Sequence, residues 1–307
     1  MTNNVEILRY AAFTHDPEGG NPAGVVLDAG GLSDAEMLAI AAEVGYSETV
    51  FVTDRDDESR TFRIRYFSPA AEVTFCGHAT IAASVILAER IGVGRLVFDT
   101  KAGEITVDTV VDGETLRATL TSVPAHSRPV AEQTLDETLA ALGWSRDDLD
   151  RAFPPHVAFG GNEHLMLAAG SRERLADLDY DFEGLRSIMT REGWTTVNLF
   201  WRESDERFHS RNPFPVGGAV EDAATGAAAA AFGGYLRTLG TGSDEFTIIQ
   251  GVDMGRPSEL KVSIAEADGR TRVGGGAVAM EVPALPGGPA ASQGLQQAGG
   301  PAGPRSE

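Results

Sequence analysis

The chain has 307 residues, 42% of them hydrophobic, and a formal net charge of −20. That length suits two modest domains, or one built from two similar halves, around a real core. A surface so acidic repels nucleic-acid phosphates and anionic membranes, so neither is an expected partner.

The opening MTNNVEILRYAAF lacks a basic region ahead of a long apolar stretch, so no secretory signal is expected. Val5 to Tyr10 and Ala23 to Leu27 read as strands on either side of a turn-rich loop, HDPEGGNP. Ser33 and Glu36 form a capping box, and Met37, Leu38, Ile40, Ala41 and Val44 recur at helical spacing until Gly45. Thr49 to Thr53 and Thr61 to Phe67 read as strands around a charged hairpin, and Gly77 opens a second helical pattern. Strands are expected through Leu96–Thr100, Glu104–Val111 and Thr115–Leu120. Pro124 to Gln133 reads as a linker that divides an N-terminal lobe (1–123) from a C-terminal lobe (124–282).

The second lobe is expected to hold a helix near Leu135–Leu142 and strands near Val157, Leu165–Ala168 and Val197–Trp201. Its most apolar window, Ala223 to Leu236, is too short to span a bilayer, so the expectation is a soluble cytoplasmic protein. The last strand is expected to cross back toward the first lobe, and 283–307, rich in Gly, Pro and Gln, to be disordered. Across the two halves runs an echo. Cys76-Gly77-His78 and Thr225-Gly226-Ala227 each start a small-residue helix, and Gly103 and Gly251 follow at nearly equal spacing. Helices so rich in Ala and Gly let strands approach closely on all sides, as a helix enclosed by a curved sheet requires.

Three runs place polar groups where a plain core would not want them. Glu48, in GYSETVF, sits at a helix-to-strand junction among apolar residues, where desolvation would raise its pKa toward that of a neutral-pH acid/base. A solvated Glu at a strand start explains it as well. In FCGHAT, the amides at a helix start form an anion site that Gly77 opens to a carboxylate, and His78 can donate or relay a proton. A packed or capping histidine is the plainer account. In GGAVEDAATG, Asp222 can orient a base or bind substrate, or merely cap the helix that follows.

Other chemistries find no support. There is no phosphate loop, nucleophile elbow or dinucleotide fingerprint. The six histidines show no metal-binding pair spacing, so no metal is expected. Cys76, the only cysteine, excludes an intramolecular disulfide; it can serve as a thiol base, or as a small buried hydrophobe.

Together the runs GNPAGVVLDAGGLSDAEMLAIAAEVGYSETVFV, FRIRYFSPAAEVTFCGHATIAA, EDAATGAAAAAFGGYL and IIQGVDMGRPSELKV resemble the PhzF family, relatives of diaminopimelate epimerase and the proline racemases. They stand in family order over most of Leu8 to Val282. The resemblance implies an α+β fold of two pseudo-symmetric lobes, each a curled mixed sheet around a central helix, with the active site between them. It implies a homodimer with no metal or organic cofactor, acting on a small-molecule carboxylate. It carries the acid/base role to Glu48, supporting roles to His78 and Asp222, and substrate contacts to Ser47, Gly77, Thr225 and Gly226. The namesake activity is isomerisation of 2,3-dihydro-3-hydroxyanthranilate. Two departures stand out. Ala227 occupies a place where the family often has Ser. Cys76 matches one of the paired catalytic cysteines of the epimerase relatives, yet its mate is Thr225, so a one-base reaction is expected over a two-thiol racemase. An epimerase or dehydratase using Cys76, or a non-catalytic binding protein on the same fold, are the rival readings.

Overall fold

In the computed structural model, which describes residues 5–264 and 268–281, the chain begins with β1 (Leu8–Ala12), β2 (Asn21–Val26), α1 (Asp34–Val44), β3 (Glu48–Asp56), β4 (Thr61–Phe67) and β5 (Glu72–Val73). It continues through α2 (Gly77–Ile91), β6 (Gly94–Thr100), β7 (Gly103–Asp112) and β8 (Thr115–Pro124). Next come β9 (His126–Pro129), α3 (Glu132–Leu142), β10 (His156–Phe159), β11 (Glu163–Ala168), α4 (Arg172–Ala176), α5 (Phe182–Glu192) and β12 (Trp194–Ser204). The chain then forms β13 (Arg207–Phe214), β14 (Ala219–Asp222), α6 (Gly226–Leu239), β15 (Glu245–Gln250), β16 (Ser258–Ile264), β17 (Arg270–Gly275) and β18 (Ala277–Ala279). The capping box of Ser33 and Glu36 is formed at the start of α1, and Gly45 ends that helix in the left-handed region. The 283–307 tail lies outside the described residues.

Strand pairing repeats between the halves. From β1 to β4 the neighbours are antiparallel, parallel and antiparallel; β4–β6 is parallel, and β6–β7 and β7–β8 are antiparallel. From β10 to β17 the same senses recur in the same order, with β13–β15 in the place of β4–β6. The sequence echo is therefore a repeat of a whole pairing scheme. The result is an α+β fold of two pseudo-symmetric lobes, each a curled mixed sheet around one helix, α2 or α6.

The lobes are sewn together by their strands. β8 pairs with β17, placing Leu120 opposite Val273. β9 follows β8 in the chain yet pairs with β10, and β18 follows β17 yet pairs with β1. The stretch expected to be a linker thus contains a strand. Four residues are too few to show alternation, and Pro124 and Pro129 at its flanks read as breakers although they sit where a short edge strand tolerates them.

Enclosure explains the composition of the two central helices. Every residue from His78 to Ala88 in α2, and from Ala228 to Leu236 in α6, is buried, as befits a helix with no solvent face. The chain comes so near α6 where β9 begins that a Cβ at Gly234 would lie 2.8 Å from the backbone carbon of Ala125 and 2.9 Å from the His126 nitrogen. Outside the sheets, α3 and α5 cover the second lobe through Leu139, Leu185 and Met189, and α1 covers the first through Met37 and Ala41. Among the described residues no helix is long and apolar enough to cross a membrane.

Candidate active site

The repeat brings the N-termini of α2 and α6 face to face. A Cβ built on Gly77 would stand 3.9 Å from the Cα of Gly226, so the two helix starts all but touch. The N-cap residues, Cys76 and Thr225, give their helices no side-chain capping bond. Amides of both first turns are left for another acceptor. A cleft of about 580 Å³ reaches this glycine pair and is lined farther out by Leu120, Val273, Arg270 and Arg272. Glu48, His78 and Asp222 do not line it; the glycine pair is what the cleft and the polar cluster share.

The polar cluster assembles from distant parts of the chain. Glu48 opens β3 with its side chain 17% exposed, and its Oε2 lies 3.5 Å from Nε2 of His78, which is 7% exposed. Ser47 Oγ also lies 3.5 Å from that nitrogen. Cys76 Sγ stands 3.4 Å from Nδ1 and 3.8 Å from Nε2 of the same ring. Burial, followed by the field of Glu48, pushes the Cys76 thiol well up, so the sulfur is a neutral thiol and a poor base.

Asp222 enters from the other lobe. It ends β14 and does not cap α6; it accepts hydrogen bonds from Thr225 Oγ1 at 2.7 Å and from Asn21 Nδ2 at 2.7 Å. Burial raises its carboxyl above the ordinary aspartate range, while His78 and these two donors pull the other way. Its strand is fixed by the neighbouring Glu221, whose carboxylate holds the guanidinium of Arg211 through two bonds, 2.5 and 3.0 Å long. The sequence thus places Ser47, Glu48, Cys76, Gly77, His78, Asp222, Thr225 and Gly226, and the fold gathers them at one junction.

Two participants were not foreseen. Asn21, the first residue of β2, bridges the lobes: its amide lies 3.2 Å from His78 Nδ1 and also donates to the Ala224 carbonyl at 3.1 Å. Gln250 accepts from the Thr225 amide and donates to both Thr225 Oγ1 and the Asp222 carbonyl. Nearby, Arg256 donates to the carbonyls of Gly19 and Gly20, tying the loop before Asn21 to the second lobe. Phe13, buried at φ 63°, starts that loop with its ring against Gly226, a rare conformation for a bulky residue. The histidine spacing gave no hint of metal donors, yet Glu48, Cys76 and His78 each offer a ligand atom within 4.8 Å of the others.

Comparison with known proteins gives this arrangement a context. The family model described as phenazine biosynthesis-like protein, PhzC-PhzF, matches residues 10–282. The uncharacterized isomerase YfhB of Bacillus subtilis is 31% identical over 87% of this chain and 93% of its own. The trans-2,3-dihydro-3-hydroxyanthranilate isomerase of Pseudomonas chlororaphis is 32% identical over 84% of this chain and 89% of its own. The crystal structure of a PhzF-family phenazine biosynthesis protein from Bacillus anthracis superposes with a TM-score of 0.80 at 25% identity, covering 90% of this chain and 97% of that one.

Proposed function

The chain belongs to the PhzC-PhzF family of phenazine biosynthesis-like proteins and is an isomerase, and on that premise we propose that it shifts a proton between carbons of a small carboxylate substrate, with Glu48 as general acid and base. The observation that carries this is the position of Glu48: a half-buried carboxylate 3.5 Å from His78, at the point where two uncapped helix starts converge. Convergent amides suit a substrate carboxylate, because both helix dipoles present positive ends to it. The adjoining cleft is of mixed charge: Arg270 and Arg272 line it together with Glu104 and with Arg95, which is paired to Asp108 at 3.0 Å.

In this reading the Gly77 and Gly226 amides hold the substrate carboxylate and so place an acidic C–H within reach of Glu48. Glu48 takes the proton as carboxylate and returns it to a second carbon as carboxylic acid. Negative charge that develops on the substrate is met by the helix amides and by His78, with Asp222 and Ser47 positioning the ring and substrate. No step needs a cofactor. Thr225 opposite Cys76 leaves the thiol without a partner thiol, which disfavours the two-base epimerase alternative. A cytoplasmic homodimer, as the resemblance implies, belongs to the same proposal.

The test is solvent-deuterium incorporation into dihydro-hydroxyanthranilate, hydroxyprolines, diaminopimelate and pyrroline carboxylates, followed by mass spectrometry and NMR. Label should enter one of these compounds with the wild-type chain, and Glu48→Gln should lower exchange by at least about 100-fold. Equal exchange by both proteins would remove Glu48 from the mechanism. Loss of alpha-carbon exchange in Cys76→Ala, with Glu48→Gln still active, would favour the epimerase reading.

A further inference from the structure

A side-chain amide has a donor end and an acceptor end, and at Asn21 the surroundings decide which of them faces inward. Its Nδ2 meets Asp222 Oδ1 at 2.7 Å and the Ala224 carbonyl at 3.1 Å. A carbonyl can only accept, so the amide nitrogen, not the amide oxygen, points at this group. Nδ1 of His78 lies 3.2 Å from that same nitrogen. An amide NH2 brings hydrogens and no lone pair to offer, so a proton on Nδ1 would be set against a donor. The contact is favourable only if Nδ1 is the bare nitrogen, sharing an Asn21 hydrogen with the Ala224 carbonyl. Among the described residues the other polar neighbour of Nδ1 is Cys76, whose Sγ lies 3.4 Å from Nδ1 and 3.8 Å from Nε2, abreast of the ring. An acceptor in line with one ring N–H would lie far from the other nitrogen, so the sulfur does not take a proton from Nδ1. At the opposite end of the ring, Nε2 faces two groups able to accept, Ser47 Oγ and Glu48 Oε2, each at 3.5 Å.

We propose that Asn21 is a positioning residue that holds His78 as its Nε2–H tautomer, with that N–H turned toward Glu48. Which nitrogen of an imidazole carries the proton is set by the bond the other nitrogen makes. Here that bond comes from the first residue of β2, and the loop before it is anchored on the second lobe. Arg256 donates to the carbonyls of Gly19 and Gly20, and the Gly20 amide donates to the Pro257 carbonyl at 3.0 Å. At 3.5 Å the contacts of Nε2 are at the outer limit of hydrogen bonding, so its N–H is aimed without being used up. It is left for an acceptor oxygen of the substrate. His78 then works as a hydrogen-bond donor and not as a second base beside Glu48. That part in turnover rests on the catalytic reading above, whereas the tautomer does not.

The test is a two-bond proton–nitrogen NMR correlation of the full chain, labelled with the heavy nitrogen isotope, at about pH 8, where an ordinary histidine is neutral. The His78 ring is identified by its absence from the spectrum of His78→Gln. In the wild type, Nε2 should resonate as a protonated nitrogen and Nδ1 as a bare one. Asn21→Asp, which puts an acceptor oxygen where the donor was, should bring a proton to Nδ1. Asn21→Ala, which adds no charge, should move both signals toward the averaged positions of a ring exchanging between tautomers. Circular dichroism establishes which variants are folded, and either one alone decides the matter. A proton on Nδ1 in the wild type, or ring signals that stay in place in a folded variant, would overturn the proposal. The expected ring signals together with deuterium exchange that survives Glu48→Gln would instead strike the catalytic reading and leave the tautomer standing.

Discussion

At the scale of single residues, the site depends most on a side chain that its sequence context disguises. Asn21 stands at the end of HDPEGGNP, where asparagine before proline reads as a turn former. Its task appears only when β2 is laid beside the start of α6, some 200 positions later, so that its amide meets Asp222 at 2.7 Å. Hydrogen bonds to charged groups contribute about 1.5–3 kcal/mol. Asn21→Ala should therefore slow exchange by about 10- to 100-fold while leaving the circular dichroism spectrum unchanged. An unchanged rate would show that Asp222 needs no support from Asn21 across the lobe boundary. Glu48 and His78 stood out in the sequence beside Ser47 and Gly77, and Asp222 in a run that leads into the helix start at Gly226; Asn21 and Gln250 did not, because their partners are distant in sequence. His164 makes a different prediction. It is fully buried, bonded through Nδ1 to Thr196 Oγ1 at 2.8 Å, with no partner for Nε2 among the described residues, and burial pushes its pKa from 6.5 down to about 3. Its folded pKa lies below its unfolded one, so the neutral ring's contribution is complete above pH 6.5 and is lost as pH falls toward 3. The difference in unfolding free energy between wild type and His164→Asn should change by up to about 1.4 kcal/mol per pH unit across that window. A difference that stays flat with pH would mean that the ring gains a proton in the fold.

Elements were readable wherever their signals were local. The capping box of α1, the strand Thr61–Phe67 and the start of α2 at Gly77 all lie where spacing puts them. By contrast, α5 went unassigned although Asp181 caps it, Gly193 ends it, and Leu185, Ile188 and Met189 recur on one face. Its short apolar stripe is diluted by charged neighbours, and it is supported by packing against α3 as well as β12. The interior glycines of α6 show how tertiary packing overrides local preference. Alanine at position 234 would improve helix propensity by about 1 kcal/mol. Its methyl group, however, would press to within 2.8 Å of the Ala125 backbone carbon and 2.9 Å of the His126 nitrogen. Overpacking against backbone costs about 1–3 kcal/mol, so the clash should win. Gly234→Ala is expected to lower the urea midpoint, whereas Gly31→Ala, which meets nothing within 4 Å, should leave it in place. A stabilised Gly234→Ala protein would show that β9 moves aside freely and does not clamp the helix.

For the whole molecule, the duplicated helix starts announced two halves, but nothing in the sequence announced how firmly they would be joined. The joining depends on pairing between strands far apart in the chain, which periodicity cannot register. β8 and β17 share a ladder, β9 completes the second lobe's sheet, and β18 completes the first. A single apolar cluster also runs from Ile81 and Leu87 of α2 through Leu120 to Phe232 and Leu236 of α6. Neither lobe can shed its partner without exposing strand edges and part of that cluster. A chain of this size would ordinarily be expected to unfold in more than one step. Here the exchange of strands argues for one step: calorimetry should show a single transition whose calorimetric and van't Hoff enthalpies agree. For the same reason, residues 1–123 expressed alone, lacking both β17 and β18, should show no cooperative melt. Two resolved transitions, or a cooperatively folded 1–123 fragment, would mean that the lobes are autonomous and that the exchanged strands add little. A single transition has a functional consequence, because the site is itself an interlobe structure. Glu48 and His78 come from one lobe and Asp222 from the other, so loosening the seam should separate Asp222 from the carboxylate proposed for proton transfer and from its histidine before either lobe unfolds. Substitutions at the β8–β17 seam should accordingly slow deuterium exchange at temperatures where the far-ultraviolet spectrum is still native.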